Sequence, residues 1–134
     1  MAASNGTTAA TAPQVAPAHL AIRFALELAL LAALAYWGWH LGGGGFVGVL
    51  VAVAMPVTAG LTWGIFRARG DTGPPEPTVA IPGWLRLALE FALIGLAAYG
   101  VWTSGSRAAA ETLLTAFALH YAVTWERAAW LVRR

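Results

Sequence analysis

LAIRFALELALLAALAYWGWHL, residues 20–41, is the stretch whose reading decides the fold. Only Arg23 and Glu27 interrupt its apolar character. About 20 helical residues, at about 1.5 Å each, cross a hydrocarbon core of about 30 Å, so this run is long enough to span a bilayer. Working outward, Gly42 to Gly45 form a short turn, and a second apolar run, about 46–66, carries no charge. Pro56 lies in the middle of that run and predicts a kink, because its ring removes one backbone hydrogen bond.

Residues 67–82 hold Gly70, Asp71, Gly73, Pro74, Pro75, Glu76 and Pro77, which marks them as the main aqueous loop. A third run, about 83–103, and a fourth, about 107–131, flank the turn Thr103-Ser104-Gly105-Ser106. Helix is the expected form of all four, since a spanning segment must satisfy its backbone internally. Residues 1–18 are rich in Ala, Thr and Pro, contain no charged side chain, and read as a disordered tail. The expected domain is therefore 19–134, an all-α membrane protein built as a four-helix bundle.

Composition agrees with that reading. Charged residues are 10% of the chain and apolar ones 59%, against roughly 25% charged in soluble domains. So few charges cannot cover the surface of a soluble protein of 134 residues, and lipid has to be the solvent. A net charge of +2 is too small to indicate nucleic acid. The absence of Lys beside abundant Ala and Gly reads as GC-rich coding. The absence of Cys excludes disulfides, thiolate metal sites and thiol catalysis.

Arg23, Arg67, Arg69, Arg86, Arg127, Arg133 and Arg134 lie at one side of this arrangement, and only Arg107 at the other. The positive-inside rule then puts both termini and the central loop in the cytoplasm. The seven Trp residues all fall near helix ends, where interfacial aromatics belong.

Sliding the chain by 63 positions lays Arg23 on Arg86, Glu27 on Glu90, Tyr36 on Tyr99, Trp39 on Trp102 and Gly42 on Gly105. One helix separates the two copies, so they run in the same direction. The expected architecture is two tandem parallel helix hairpins related by a pseudo-twofold along the membrane normal.

Each copy carries an Arg and a Glu four residues apart, on one helix face. Charges inside a spanning segment turn toward the bundle interior or water. The repeat predicts that Arg23 meets Glu90 and Arg86 meets Glu27, with Glu126 and Arg127 of the last helix arriving at similar depth. These six residues are the candidate charged network. A paired network that fixes how the hairpins dock is favoured over a proton- or ligand-handling site, because each carboxylate already has a cation in reach. Arg107 and Glu111 repeat the spacing near the opposite end, as a plain surface pair.

Nothing in the chain has catalytic, cofactor-binding or metal-binding spacing. His19, His40 and His120 fall at three different depths, which argues against paired haem ligation, and His120 reads as a core histidine. Gly42–Gly45 lacks the Lys and Ser/Thr of a phosphate loop. Gly60 with Gly64, and Ala88 with Ala92, are small-residue surfaces for close helix packing.

Arg23-Phe24-Ala25-Leu26-Glu27, Tyr36-Trp37-Gly38, the segment from Pro56 to Trp63-Gly64-Ile65-Phe66, and Pro82-Gly83-Trp84-Leu85-Arg86-Leu87-Ala88-Leu89-Glu90 together resemble the YrdB-like family. That is a bacterial family of small inner-membrane proteins with a domain of unknown function. The resemblance covers about residues 20–131. It implies an inner-membrane location and topology, and no activity. Where the family tends to have Asn-Arg near the end of the fourth helix, this chain has Glu126-Arg127.

The expected role is a non-enzymatic scaffold or accessory subunit with no cofactor. Its partners are the lipid bilayer and either a homo-oligomer or a larger membrane complex. Two alternatives are a small proton-coupled transporter using Glu27 and Glu90, and an integral-membrane enzyme acting on lipid.

Overall fold

A computed structural model describes residues 13, 16–71 and 76–134. The tail expected over 1–18 falls almost wholly outside the described residues. Its last two positions already belong to the first helix, α1, Pro17–Leu41. Pro17 sits at the start of α1, where its fixed φ suits the first turn and its missing N–H costs nothing.

Helix α2 spans Gly45–Ile65 and continues through Pro56. The α1–α2 turn places Gly43, Gly44 and Gly45 at φ of 73°, 75° and 62°, a left-handed run that side chains with a Cβ rarely adopt. The two helices then leave the turn in close contact. A Cβ on Gly38 would lie 2.7 Å from the carbonyl oxygen of Val51, and one on Gly42 would lie 2.6 Å from the Cα of Gly48.

The central loop is more ordered at its ends than its composition suggested. Phe66–Arg67 (β1) and Val79–Ala80 (β2) pair as a two-residue parallel ladder, Phe66 with Val79 and Arg67 with Ala80. The N–H of Ile81 extends the pairing by donating to the carbonyl of Arg67 at 2.9 Å.

Helix α3 spans Gly83–Thr103. The fourth run, expected as one helix over 107–131, forms two: α4, Arg107–Val123, and α5, Trp125–Val132. The break falls at Thr124, whose backbone leaves the helical range at φ −105° and ψ 28°. Its hydroxyl and its N–H both donate to the carbonyl of His120, at 2.8 Å and 2.9 Å, and close the end of α4. The break turns α5 onto α3 so closely that a Cβ on Gly83 would sit 2.2 Å from the carbonyl oxygen of Leu131.

The helices pack α1 on α2, α3 on α4 and α1 on α3. Leu30 and Leu34 of α1, Ile94, Ala97 and Val101 of α3, and Leu113 and Phe117 of α4 form the centre of the core. Around it the usual soluble pattern is inverted. Phe24, Phe46, Val53, Leu61, Phe91 and Leu119 are exposed, whereas Asp71, Arg86, Glu90 and Arg127 are buried. Apolar patches of that extent mark contact with a membrane or another protein. The chain is mostly helical, and among the described residues α1, α2 and α3 are long and apolar enough to cross a membrane.

Candidate functional site

Four elements converge on Glu90, whose side chain is fully enclosed on α3. Burying a carboxylate costs several kcal/mol after relaxation unless its lone pairs are filled. Here they are filled from four directions. Arg23 of α1 donates Nη2 to Oε1 at 3.1 Å, and Arg86, one turn before Glu90, donates Nε to Oε1 at 3.2 Å. Arg127 of α5 spans both oxygens, with Nη1 to Oε2 at 3.1 Å and Nη2 to Oε1 at 2.9 Å. Tyr121 of α4 donates its hydroxyl to Oε2.

Arg127 binds a second carboxylate with the same guanidinium. Its Nε donates to Oδ1 of Asp71 at 2.9 Å and its Nη2 to Oδ2 at 2.7 Å. Such bidentate arrangements are among the strongest side-chain pairings and are specific to the planar fork of Arg. Asp71 lies in the central loop, so this contact ties the loop to α5. Arg86 stands 3.9 Å from the same carboxylate.

Arg86 has a further task at the end of α2. Its Nη1 donates to the carbonyls of Trp63 and Phe66, at 2.6 Å and 2.5 Å. The last carbonyls of a helix have no partner within it, and a cation there also meets the negative end of the helix dipole. The guanidinium carbon of Arg86 lies 4.8 Å from the centre of the Trp63 ring, and that of Arg23 lies 6.0 Å away. Trp63 thus meets both repeated arginines with its ring.

Glu27 occupies a different setting. It accepts from Nε of Arg23 at 3.0 Å, and its side chain is 33% exposed. It lines a cavity of about 150 Å³ with Leu30, Leu31, Ala59, Gly60, Trp63 and Leu93.

Of the six residues read from the sequence, the structure joins Arg23, Glu27, Arg86, Glu90 and Arg127 in one chain of ion pairs. The expected cross-pair of Arg23 with Glu90 is present. The expected pair of Arg86 with Glu27 is not: Arg86 is taken up by Glu90 and the end of α2. Glu126 is exposed and takes no part. Adjacent helical residues point about 100° apart, so when Arg127 faces inward Glu126 faces out. Two participants were missed, Asp71 and Tyr121. Arg107 and Glu111 form the plain surface pair expected, at 2.8 Å.

The linked charges balance. Three guanidiniums, on Arg23, Arg86 and Arg127, face three carboxylates, on Glu27, Asp71 and Glu90. Protonating Glu90 would turn an acceptor into a donor facing donors and break a bond already made. The arrangement is suited to holding elements together. It is poorly suited to passing protons through Glu90.

Comparison with known proteins adds a family. The family described as "Protein of unknown function (DUF2568)" matches residues 21–126. The "Uncharacterized protein YrdB" of Bacillus subtilis (strain 168) is 30% identical over 117 residues, covering 87% of this chain and 94% of that protein. No solved structure matches.

Proposed function

We propose that this chain, which belongs to the YrdB-like DUF2568 family of unknown function, is a multi-pass inner-membrane protein without catalytic activity, serving as a scaffold or accessory subunit. In this reading α1, α2, α3 and the α4–α5 segment each cross the bilayer as two tandem parallel hairpins. Both termini and the loop carrying Asp71 face the cytoplasm. Its partners are lipid and a second copy or a larger membrane complex.

The observation that carries the reading is the saturation of Glu90 by Arg23, Arg86, Arg127 and Tyr121. A buried ion network that satisfies itself specifies how helices dock more than it performs chemistry. It also speaks against a lipid-modifying enzyme, whose anionic cofactor would need arginines not already matched by carboxylates.

Topology is tested in a chain that has no native cysteine. Single cysteines replace Arg69 and Arg107, whose side chains are 76% and 73% exposed. Arg69→Cys should label from the cytoplasmic side only, and Arg107→Cys from the opposite side only. Labelling of both from one side would overturn the two-hairpin arrangement.

A proton-coupled transporter is the second reading, and one observation favours it: Glu27 is part-exposed beside a cavity. Proteoliposomes separate the two. The scaffold reading expects no proton-driven flux from the wild-type protein. A flux abolished by Glu27→Gln, in a variant of unchanged stability, would replace the scaffold reading with the transporter.

A further inference from the structure

The cavity between α1, α2 and α3 has one polar feature in an otherwise apolar wall. Leu30 and Leu31 of α1, Ala59, Gly60 and Trp63 of α2, and Leu93 of α3 enclose about 150 Å³, and Glu27 supplies the carboxylate. Arg23 occupies Oε1 of Glu27. The other oxygen, Oε2, accepts no hydrogen bond among the described residues. With Glu27 among the lining residues, a donor that enters the cavity finds an acceptor with capacity left.

The donor must suit the charge around it. The six linked groups sum to zero, so a bare cation or a bare anion added to them would leave one charge of that network unmatched. A zwitterionic headgroup adds none. It also brings a strong N–H donor if its amine is primary.

Location favours a lipid as the bearer. Gly60 and Trp63 lie within the last six residues of α2, and Glu27 stands seven residues into the apolar run beginning at Leu20, so the carboxylate end of the cavity lies about 10 Å from one end of these spans. Val57 and Leu61, 53% and 59% exposed, continue the apolar surface of α2 beside it for acyl chains.

From this geometry we infer that the Glu27 cavity is a lipid site that takes the primary amine of a zwitterionic phospholipid headgroup on Oε2 of Glu27. The inference rests on the membrane reading above. Glycerophospholipids carrying ethanolamine fit it. Those carrying choline have no N–H to donate, and those carrying glycerol are anionic.

Native mass spectrometry of the detergent-solubilised full chain tests it, with phosphatidylethanolamine, phosphatidylcholine and phosphatidylglycerol of identical acyl chains titrated in turn. The expected result is one retained phosphatidylethanolamine per chain, with roughly tenfold tighter apparent binding than either other lipid. Glu27→Gln should abolish that preference. Gly60→Leu fills the cavity from a position where a new Cβ meets nothing within 4 Å, and should abolish the retained lipid. Both variants are checked for an unchanged thermal transition, and Gly60→Leu keeps the test decisive where Glu27→Gln unfolds. Equal retention of the three lipids, or an unaltered preference in either folded variant, would overturn the site and leave the membrane reading intact. A chain that stays monodisperse without detergent and retains no lipid would overturn the membrane reading itself.

Discussion

Arg127 holds Asp71 through two parallel bonds, Nε to Oδ1 at 2.9 Å and Nη2 to Oδ2 at 2.7 Å, across 56 residues of sequence. Asp71, at the near end of the central loop, is therefore tied to the last helix by a buried ion pair. Lys keeps the charge of Arg127 but cannot serve both oxygens of Asp71 while also spanning Glu90. Arg127→Lys should destabilise the protein by about 2–4 kcal/mol, read as a lowered denaturation midpoint in micelles. Its neighbour is the control: Glu126→Gln, at an exposed position, should stay within about 0.5 kcal/mol of wild type. Equal effects at the two positions would show that the fork geometry does not matter.

Glu90→Gln removes the one charge that three arginines share. Breaking a buried pair by deleting one partner costs about 3–5 kcal/mol, because the remaining charges stay buried and unmatched. Tyr121→Phe removes one hydrogen bond to a charged acceptor and should cost about 1.5–3 kcal/mol. A double variant, Glu90→Gln with Arg23→Met, should cost less than the sum of its parts. Additive costs would mean that the two residues are not coupled.

Glu27→Gln should be much milder than Glu90→Gln. Glu27 has one partner, Arg23, and a third of its side chain is exposed. Its loss leaves Arg23 still paired with Glu90, whereas the loss of Glu90 takes a partner from three arginines at once. Thermal unfolding of the two single variants, side by side, gives the comparison, and equal losses would contradict the asymmetry between the two Arg–Glu pairs.

Two glycines of α3 make a matched backbone test. A Cβ on Gly83 would collide with the carbonyl oxygen of Leu131 at 2.2 Å, whereas one on Gly95 meets nothing within 4 Å. Gly83→Ala should cost about 1–3 kcal/mol by forcing α5 away from α3. Gly95→Ala should be neutral or stabilising by up to about 1 kcal/mol, since Ala is the better helix former. A Gly83→Ala variant as stable as Gly95→Ala would mean that α5 is not docked where it is described.

These outcomes also measure how far residue spacing reveals such a site. The i,i+4 pairs Arg23–Glu27 and Arg86–Glu90 follow from helical geometry alone, and both are formed. The meeting of Arg23 with Glu90 follows from the matched registers of the two helices. The reciprocal pair fails because the surroundings of the two pairs differ: Arg86 donates to the carbonyls of Trp63 and Phe66, and Glu27 lines a cavity. Asp71 was hidden by its neighbours, since a carboxylate between Gly70 and Gly73 in a proline-rich stretch reads as solvent-facing. Charge balance gave no signal either, because Arg23, Arg86 and Arg127 were already matched in number by Glu27, Glu90 and Glu126. Tyr121 was as hard to find. The break at Thr124 was equally hidden, because a Thr inside an apolar run is common in helices that stay whole.

Arg127 lies 37 residues downstream of Glu90, and the dependence of one on the other has a consequence for biogenesis. At a synthesis rate of roughly 5–20 residues per second, the polypeptide waits about 2–7 seconds between producing the buried acid and producing its last counter-ion. During that interval α3 is completed, and Arg86 and Arg23 are the ion-pair partners of Glu90 already made. The native setting of Glu90 is therefore finished by the arrival of α5, and under the proposed membrane arrangement insertion has to tolerate a half-matched acid until then.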